Sequence, residues 1–413
     1  MVPEGWKQSE VGDHVELLSG FPFKSSEYSD DPEDIRLLRG DNIGQGHLRW
    51  RDAKRWDKSQ YDQLTKYHLS VGDFVIAMDR TWVTGGLKVA EVRNHDLPSL
   101  LLQRVSRLRT HRSLDQRLLR FFINGYLFEQ YVKSVQTETA VPHISARQIK
   151  EFPILLPPLS EQRKIADILS TWDQAIDKTE TLLSNARTQK RALMQQLLTG
   201  KRRFPEFAGQ PWKEVRLGDM GKFRKGKGLP KTVVGPAGDY PCILYGELYT
   251  TYGEFIGQTR SHTDVDDGVI SEAGDILIPA STTTSGIDLA IASYVERGGI
   301  RLGGDINIFR PKQNVIEGAF LAYFLTHARR HKMAKFAQGI TIVHLKGSDL
   351  LDLSIQIPPL AEQKMIMSLV TEVESEIVAI AGDLAKLRTE KKALMQQLLT
   401  GKRRVKVGDQ NAI

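Results

Sequence analysis

The residues with the most obvious chemical potential are four cations in one short stretch near the middle of the chain. Residues 221–228 read GKFRKGKG, which matches the spacing of a phosphate-binding loop. Such a loop needs Ser or Thr after its last lysine to bind Mg²⁺, and a helix whose N-terminus meets the phosphates. Here Gly228 follows the lysine and Leu229-Pro230 come next, so neither requirement is met. The stretch is therefore expected to be a loop that either contacts DNA phosphates or is simply solvated.

Motifs for other kinds of catalysis are absent from the sequence. It contains no Cys-x-x-Cys pair and no His-Glu-x-x-His, and its ten histidines are scattered, which argues against a metal site. The Gly-x-Ser-x-Gly of hydrolases is missing. So is the Asn-Pro-Pro-Tyr or Asp-Pro-Pro-Tyr with which methyltransferases hold an extruded adenine. The chain is expected to catalyse nothing by itself and to bind no cofactor or metal.

Composition and charge are those of an ordinary globular protein. The 413 residues are 40% hydrophobic and 26% charged, and the net charge of +7 suits a nucleic-acid binder without requiring one. No apolar run approaches the roughly 20 residues that cross a bilayer, and the first residues do not resemble a signal peptide. The single cysteine, Cys242, cannot form an internal disulfide. These features predict a cytoplasmic protein with no membrane contact.

The segments that must position any functional residues occur twice in the sequence. Residues 156–165 read LPPLSEQRKI and residues 357–366 read IPPLAEQKMI. Residues 190–203 read KRALMQQLLTGKRR and residues 391–404 read KKALMQQLLTGKRR. Both matches have the same offset of 201 residues, whereas the long segment before each copy matches its counterpart only faintly. The sequence is therefore an internal duplication with alternating variable and constant parts.

Each constant copy predicts one long helix. A Pro-Pro pair precedes it and a glycine follows its last leucine, as helix boundaries prefer. Between them, apolar residues recur at alternating steps of four and three, the spacing of a coiled-coil seam. In the first copy the seam is Ile165, Leu169, Trp172, Ile176, Leu183, Leu193 and Leu197. In the second copy it is Ile366, Val370, Val373, Ile377, Ile380, Leu384, Leu387, Leu394 and Leu398.

Two helices with matching seams can pair in two ways. They could form a zipper between two chains, or pair with each other inside one chain. The internal pair is favoured because the copies match in length and register and a compact segment separates them. The second helix would then run antiparallel to the first and place the variable segments at opposite ends of a rod. The cations at 201–203 and 402–404 are expected to complement the helix dipoles and face solvent.

This combination of motifs resembles the specificity subunit of type I restriction-modification enzymes. The resemblance rests on residues 156–165 with 190–203 and on residues 357–366 with 391–404, and it covers essentially the whole chain. It implies an α+β protein whose two target-recognition domains, mostly of antiparallel sheet, are separated by helices that pair as an antiparallel coiled coil. The implied boundaries are domains at 1–156 and 204–356, helices at 157–203 and 357–404, and a tail at 405–413.

The function that the resemblance implies is DNA recognition without catalysis. Each domain would read one half of a bipartite site in double-stranded DNA, while the helices set the spacer and dock two modification subunits. Those partners would carry S-adenosylmethionine and methylate adenine N6, and restriction subunits would add ATP- and Mg²⁺-dependent translocation and cleavage. The alternative is a coiled-coil adaptor without sequence-specific DNA binding, which leaves two divergent globular domains unexplained.

Base readout needs polar or cationic side chains on loops that reach base edges and phosphates. In the first domain the candidates are Lys24, Ser25, Arg39, Asn42, Arg80, Thr81 and Trp82. In the second they are Lys222, Arg224, Lys225, Lys227, Tyr245, Thr282, Thr283 and Thr284. His143 and His344, which also lie 201 residues apart, are expected to be structural. Residues 114–132 and 319–336 are expected to be helices that pack against a sheet.

Overall fold

The computed structural model describes residues 2–83, 86–136, 142–312 and 314–406. The chain forms two compact units: unit 1 is Met1–Glu180 with Asp383–Ile413, and unit 2 is Thr181–Gly382. The limits of the units fall inside the two long helices, whereas the expected domain limits lie at the helix ends. Most of the expected tail, residues 407–413, lies outside the described residues.

The described residues contain both long and very short elements. The α-helices are α1 Gln116–Ile123, α2 Tyr126–Val135, α3 Ala146–Lys150, α4 Leu159–Leu198, α5 Leu217–Met220, α6 Glu247–Thr250, α7 Gly286–Leu289, α8 Gly318–Tyr323, α9 Arg330–Ala334, α10 Gly347–Leu350 and α11 Leu360–Leu399. The strands of unit 1 are β1 Lys7–Glu10, β2 Val15–Ser19, β3 Ile35–Leu38, β4 Arg55–Trp56, β5 Phe74–Ala77, β6 Trp82–Val83, β7 Gly86–Leu87, β8 Val89–Glu91, β9 Ser99–Leu101, β10 Val105–Thr110 and β11 Pro153–Leu156. The strands of unit 2 are β12 Lys213–Arg216, β13 Gly221–Lys225, β14 Tyr240–Ile243, β15 Phe255–Ile256, β16 Ser261–Thr263, β17 Val269–Ile270, β18 Ile276–Pro279, β19 Ser281–Thr282, β20 Ser293–Val295, β21 Arg301–Leu302, β22 Ile306–Pro311, β23 Val343–His344 and β24 Ser354–Ile357.

Unit 1 is built on a four-stranded antiparallel sheet with the order β2-β10-β5-β8. All four side chains of β5 are buried because the sheet is covered on both faces. Phe74 and Ile76 belong to the core that contains α1, while Val75 and Ala77 belong to a second core. A smaller sheet, β4-β3-β9, includes one parallel pair.

Unit 2 repeats this plan with a five-stranded sheet in the order β13-β22-β18-β20-β15. Ile276 and Ile278 of β18 face the core that contains α8, and Leu277 between them faces the opposite core. A second sheet has the order β16-β14-β21-β17. Most pairings are antiparallel, with parallel exceptions at β14–β21 and β15–β20. The expected mixed α+β class is confirmed.

The Gly-Asp turn that precedes the central strand of each unit has an electrostatic role. Asp73 accepts a hydrogen bond from the Ser70 N–H at 2.8 Å and binds Arg109 Nη2 at 2.8 Å. In unit 2, Asp275 likewise accepts from the Glu272 N–H at 2.8 Å and binds Arg310 Nη2 at 2.9 Å. Each aspartate therefore closes a turn and ties it to the neighbouring strand, which explains the repeated Gly-Asp of the sequence.

The long helices α4 and α11 pack antiparallel, as expected. In unit 1 the start of α4 meets the end of α11, and in unit 2 the start of α11 meets the end of α4. Both helices end at a glycine with positive φ, Gly200 at +71° and Gly401 at +68°. This left-handed conformation suits glycine, and it lets the Arg202 N–H donate back to the Gln196 carbonyl at 3.1 Å.

The two shorter helices predicted from apolar spacing are interrupted. The expected helix at 114–132 is α1 followed by α2, because the chain leaves helical geometry at Gly125, where a side chain would crowd the Phe121 carbonyl. The expected helix at 319–336 is α8, then a wide π-helical turn at Phe324–Ala328, then α9. None of the helices in the described part of the chain has the length and apolar character needed to cross a membrane.

Candidate nucleic-acid interface

The cationic stretch of unit 2 is a strand, so the expectation of a loop was wrong for three of its cations. Lys222, Arg224 and Lys225 lie on β13, which pairs with β22 along five residues. Because side chains alternate along a strand, Lys222 and Arg224 point to the same side of the sheet. All three are exposed on an edge strand. Lys227 follows the strand and is also exposed.

A cleft of about 410 Å³ lies beside this strand. Its lining includes the cations Arg224, Lys225 and Lys346 together with His344. Asp305, the carboxylate in the lining, is 3.4 Å from Lys225 Nζ and accepts a hydrogen bond from Ser281 Oγ at 3.0 Å. The cleft thus has the excess of positive charge that phosphate contacts require.

Asn307 holds the wall of the cleft in place. Its side-chain amide donates to the Leu345 carbonyl at 2.7 Å, and its oxygen accepts from the Gly347 N–H at 3.0 Å. These bonds fix the segment on which His344 and Lys346 alternate toward solvent. The buried asparagine therefore positions side chains that can reach a ligand.

The three threonines of unit 2 differ in accessibility. Thr282 is buried and forms a 2.9 Å hydrogen bond with Thr284 Oγ1, so it is not available to a base in this structure. Thr283 and Thr284 are exposed. Asp288 holds this loop by accepting from Thr284 Oγ1 and Ser285 Oγ, both at 2.7 Å, and these bonds lower the pKa of Asp288. The loop is therefore shaped by a carboxylate that is charged at neutral pH.

Tyr245 lies in a small aromatic pair next to the same loop. Its ring centroid is 6.3 Å from that of Tyr249, and both rings are partly exposed. Burial is the main cause of the raised pKa of Tyr249, which also shares a hydrogen bond with Thr282. The aromatic pair could stack on an unpaired base or cover a sugar.

In unit 1 the candidates fall on three separate loop segments and on strand β6. Lys24 and Ser25 are exposed, and Lys24 Nζ lies 3.4 Å from Glu27. Arg39 is half-buried and pairs with Asp41 at 3.3 Å. Asn42 is buried because its side chain bonds the Arg39 N–H and the Arg49 carbonyl, which commits it to the turn and not to a base.

Asp79 organises the last group of unit 1 candidates. Its carboxylate binds His143 Nδ1 at 2.5 Å and lies 3.6 Å from Arg104 Nε. Arg80, next in the chain, is exposed and has a positive φ of +46°. Thr81 is buried. Trp82 lies on β6, and its side chain is outside the described part of the structure.

Lys88 is a cation that the sequence did not single out. It is buried, and desolvation lowers its pKa, against the opposing charges of Asp41 and Asp79. The charge of Arg80 also lowers the pKa of Lys88. Lys88 therefore connects the two candidate loops of unit 1 electrostatically, and its position could not be read from sequence spacing.

The two units share one framework at this place but carry different chemistry on it. The Ile144 N–H donates to the Met78 carbonyl and the Leu345 N–H donates to the Ala280 carbonyl, both at 2.9 Å. The preceding histidine pairs with Asp79 in unit 1 and with Ser281 in unit 2. Equivalent backbone positions thus present different side chains.

The motifs that repeat in the sequence meet each other in the structure. In unit 1, Glu161 of the first Glu-Gln pair is buried and binds Arg404 Nη2 at 2.8 Å. It also accepts a hydrogen bond from Trp6 Nε1 at 3.0 Å. In unit 2, Glu362 binds Arg203 Nη2 at 2.6 Å. These ion pairs were missed because the two arginines were expected to be solvated.

The glutamine of each motif joins the helix to its domain. Gln162 donates to the Pro157 carbonyl at 2.9 Å and accepts from the Asp115 N–H at 2.9 Å. Gln363 makes the same bonds to the Pro358 carbonyl and the Glu317 N–H. The antiparallel register could have predicted the Glu–Arg ion pairs, because it brings each Glu-Gln pair close to the Arg at the end of the opposite copy.

Every predicted seam residue is buried or half-buried in its unit. Two lysines continue the four-and-three spacing of the seams, and acids on the facing helix neutralise them: Lys190 binds Glu374 at 2.5 Å, and Lys391 binds Asp173. Tyr323 also donates to Glu374, at 2.5 Å, and burial raises the pKa of this tyrosine strongly. Each unit therefore contains the same polar contact in its helix pair.

One face of the repeated helix segment lines a groove in each unit. In unit 1 the groove has a volume of about 610 Å³ and its lining includes Lys392, Met395, Gln396, Leu399 and Thr400. In unit 2 a smaller groove of about 270 Å³ is lined by the positions 201 residues earlier, Arg191, Met194, Gln195, Leu198 and Thr199. No group of three or more potential metal ligands occurs among the residues described.

Comparison with known proteins identifies the family. A model of the type I restriction modification DNA specificity domain matches residues 3–186 and again residues 209–387. The two matches correspond to the two copies of the duplication and together cover most of the chain. The chain belongs to this specificity-domain family. The coiled-coil adaptor without DNA recognition is therefore not favoured.

Individual relatives agree with the family assignment. The specificity subunit of the type I restriction enzyme EcoAI from Escherichia coli is 32% identical over 45% of this chain, but the match spans only 31% of that relative. A Methanocaldococcus jannaschii protein named provisionally as the MjaX specificity subunit is 24% identical over 98% of this chain and 95% of its own length. The S subunit of a type I restriction-modification system from M. genitalium has the same fold, with a TM-score of 0.57, 15% identity and 96% coverage of both chains.

Proposed function

We propose that this specificity-domain protein is the non-catalytic DNA-reading subunit of a type I restriction-modification enzyme. Unit 1 reads one half of a bipartite site in double-stranded DNA and unit 2 reads the other. The observation that carries the proposal is the shared framework with different side chains at equivalent places, Asp79 opposite His143 in unit 1 and Ser281 opposite His344 in unit 2. Two readers on one framework are what an asymmetric two-part site requires.

The exposed candidates form the contact set. In unit 2 they are Arg224, Lys225, Lys346 and His344 of the cleft, with Lys222, Lys227, Tyr245, Thr283 and Thr284 around it. In unit 1 they are the exposed Lys24, Ser25 and Arg80, together with the half-buried Arg39. Cations of this set neutralise phosphates, and the neutral polar groups and arginines reach base edges.

The repeated helix segments dock two copies of one modification subunit, one copy on each unit. The support is an identity that packing does not require: Gln195, Gln196, Lys201 and Arg202 are exposed, and their counterparts Gln396, Gln397, Lys402 and Arg403 are exposed and identical. The middle parts of the two helices have diverged since the same duplication, so a recent duplication does not explain why the end segments are still nearly identical. A shared partner does.

The chemistry is then carried by partners. S-adenosylmethionine would bind the modification subunits, and ATP and Mg²⁺ the restriction subunits, while this chain contributes position and sequence choice. We infer that the length of α4 and α11, each of which contributes residues to both units, sets the gap between the half-sites. The single buried cysteine, Cys242, suits a reducing cytoplasm.

A binding measurement tests this function. The chain, co-purified with its modification subunits, should bind one two-part DNA site far more tightly than random DNA, with an affinity that falls steeply as salt rises. Random and specific duplexes of equal length, compared across a salt series, separate the two contributions. Equal affinity for both duplexes at every salt concentration would contradict sequence-specific reading.

A further inference from the structure

A short hairpin of unit 2 holds an isoleucine fully in water. The hairpin spans Gln338–His344 and is closed by two backbone hydrogen bonds between these residues, at 2.8 and 2.7 Å. Ile340 at its tip is 99% exposed, and Ile342 is 49% exposed. Gly339 shapes the turn with a φ of +126°, where a Cβ would lie 2.1 Å from the Ile342 carbonyl oxygen.

The hairpin adjoins the cationic cleft. Its returning strand is β23, which pairs with β19 so that Val343 lies opposite Thr282 and His344 opposite Ser281. His344 lines the cleft with Arg224 and Lys346. The exposed Thr283 and Thr284 continue directly from β19. An apolar tip therefore projects from a rim whose other accessible groups suit phosphates and base edges.

The side chain of Ile340 contributes no buried apolar surface to the fold. Burying an isoleucine stabilises a folded protein, and here this gain is forgone because Ile340 is exposed. Proteins that deform DNA insert apolar side chains between stacked bases and hold the flanking phosphates with cations. From this juxtaposition of tip and cations, we propose that Ile340 is an apolar wedge that inserts between neighbouring base pairs of the half-site read by unit 2.

The proposal rests on the proposed DNA-reading function and adds a way of reading. A wedge unstacks one base step, and the energy required depends on the sequence of that step. Unit 2 would therefore discriminate through DNA deformability in addition to hydrogen bonds. Unstacking also lowers the barrier to extruding an adjacent base, which an adenine-N6 methyltransferase partner must accomplish.

The test uses the chain co-purified with its modification subunits and a duplex that carries the target site. The fluorescent base 2-aminopurine replaces one base at a time across the half-site of unit 2, and its emission rises when it is unstacked. The wild-type complex should raise the emission several-fold at one step. Ile340→Ala should abolish most of that rise and weaken specific binding about tenfold, while Ile340→Leu should retain both.

A matched control is Ile270→Ala, because Ile270 is an exposed isoleucine of the same unit that lies on β17 of the other sheet. It should leave both readouts unchanged. If Ile340→Ala also left them unchanged in a complex that still binds its site specifically, the wedge would be refuted and the DNA-reading function would stand. If Ile340→Ala instead released a modification subunit without changing the emission, the hairpin would be a protein contact and the wedge would again be refuted. Failure of the wild type to bind specifically would refute the underlying function itself.

Discussion

At the scale of single residues, the most consequential contacts are the buried ion pairs between the repeated motifs. Glu161 is almost fully buried, and Arg404 and Trp6 are its partners. A buried carboxylate that loses its cation retains the penalty of desolvation without compensation. The hydrogen bonds to Glu161 accordingly raise the pKa of Arg404 and keep it charged at any physiological pH.

Replacing Arg404 should therefore destabilise unit 1 specifically. We expect Arg404→Met to lower the free energy of unfolding of unit 1, because it leaves the buried carboxylate of Glu161 without its cation. Arg403→Met, at the exposed neighbouring position, should change it by less than about 0.5 kcal/mol. Hydrogen exchange of peptides around Trp6 and Glu161 measures the loss. Adding Glu161→Gln to Arg404→Met should recover part of it, and no recovery would mean that the charge of Glu161 is not the cause.

At the scale of elements, the long helices were the most predictable part of the molecule. The Pro-Pro pairs, the spacing of four and three and the terminal glycines predicted both helices, which run over Leu159–Leu198 and Leu360–Leu399 inside the expected segments 157–203 and 357–404. The cationic stretch was less predictable, because strand β13 is created by pairing with β22, some 80 residues later in the chain. The prediction of one helix at 114–132 was wrong for a local reason, because the helix is interrupted at Gly125.

The seam prediction can be tested with neighbouring residues of one helix. Ile380 is 8% exposed and Val378, two residues earlier, is 71% exposed. Ile380→Asp should bury an unpaired charge and lower the melting temperature by several degrees or prevent folding, whereas Val378→Asp should leave it nearly unchanged. Calorimetry of both variants decides the matter. Equal melting temperatures would place Ile380 outside the seam.

The cleft of unit 2 makes a quantitative prediction about salt. If Arg224 and Lys346 each contact a phosphate, replacing either by alanine should reduce the slope of log affinity against log salt by about 0.9. Arg297→Ala should not change the slope, because Arg297 is exposed but does not line the cleft. Binding isotherms between about 50 and 200 mM salt provide the slopes. Unchanged slopes for both cleft variants would mean that these cations do not neutralise DNA.

At the scale of the whole molecule, the sequence predicted the domain organisation better than it predicted the accessible residues of the candidate nucleic-acid interface. The duplication, the antiparallel helices and the family follow from motifs that recur at one offset. Which candidate residues are accessible did not follow: Asn42 is buried in a turn that its own side chain holds, Thr81 is buried before β6, and Thr282 is buried on β19. Lys88 and Ile340 were not predicted, since their roles depend on contacts between distant segments.

The proposed spacer function predicts the effect of lengthening both helices together. Insertion of seven helix-forming residues after Glu180 and after Gly382, where the units divide, preserves the seam period and the ion pairs at the helix ends. Each helix grows by about 10 Å at 1.5 Å per residue, or about three base pairs of DNA. Methylation mapping should find the same half-sites with a longer gap. An unchanged gap in an active variant would show that the helices do not measure the spacer.

The central claim, that each unit reads one half of the site, is tested most directly by exchanging one domain and sequencing the methylated bases of the host genome. The variant replaces residues 1–156 with the corresponding domain of another family member and leaves unit 2 and both helices unaltered. We expect the half-site read by unit 1 to change to that of the donor while the other half-site and the gap stay the same. A variant that methylates DNA with both half-sites altered, or with neither altered, would contradict it.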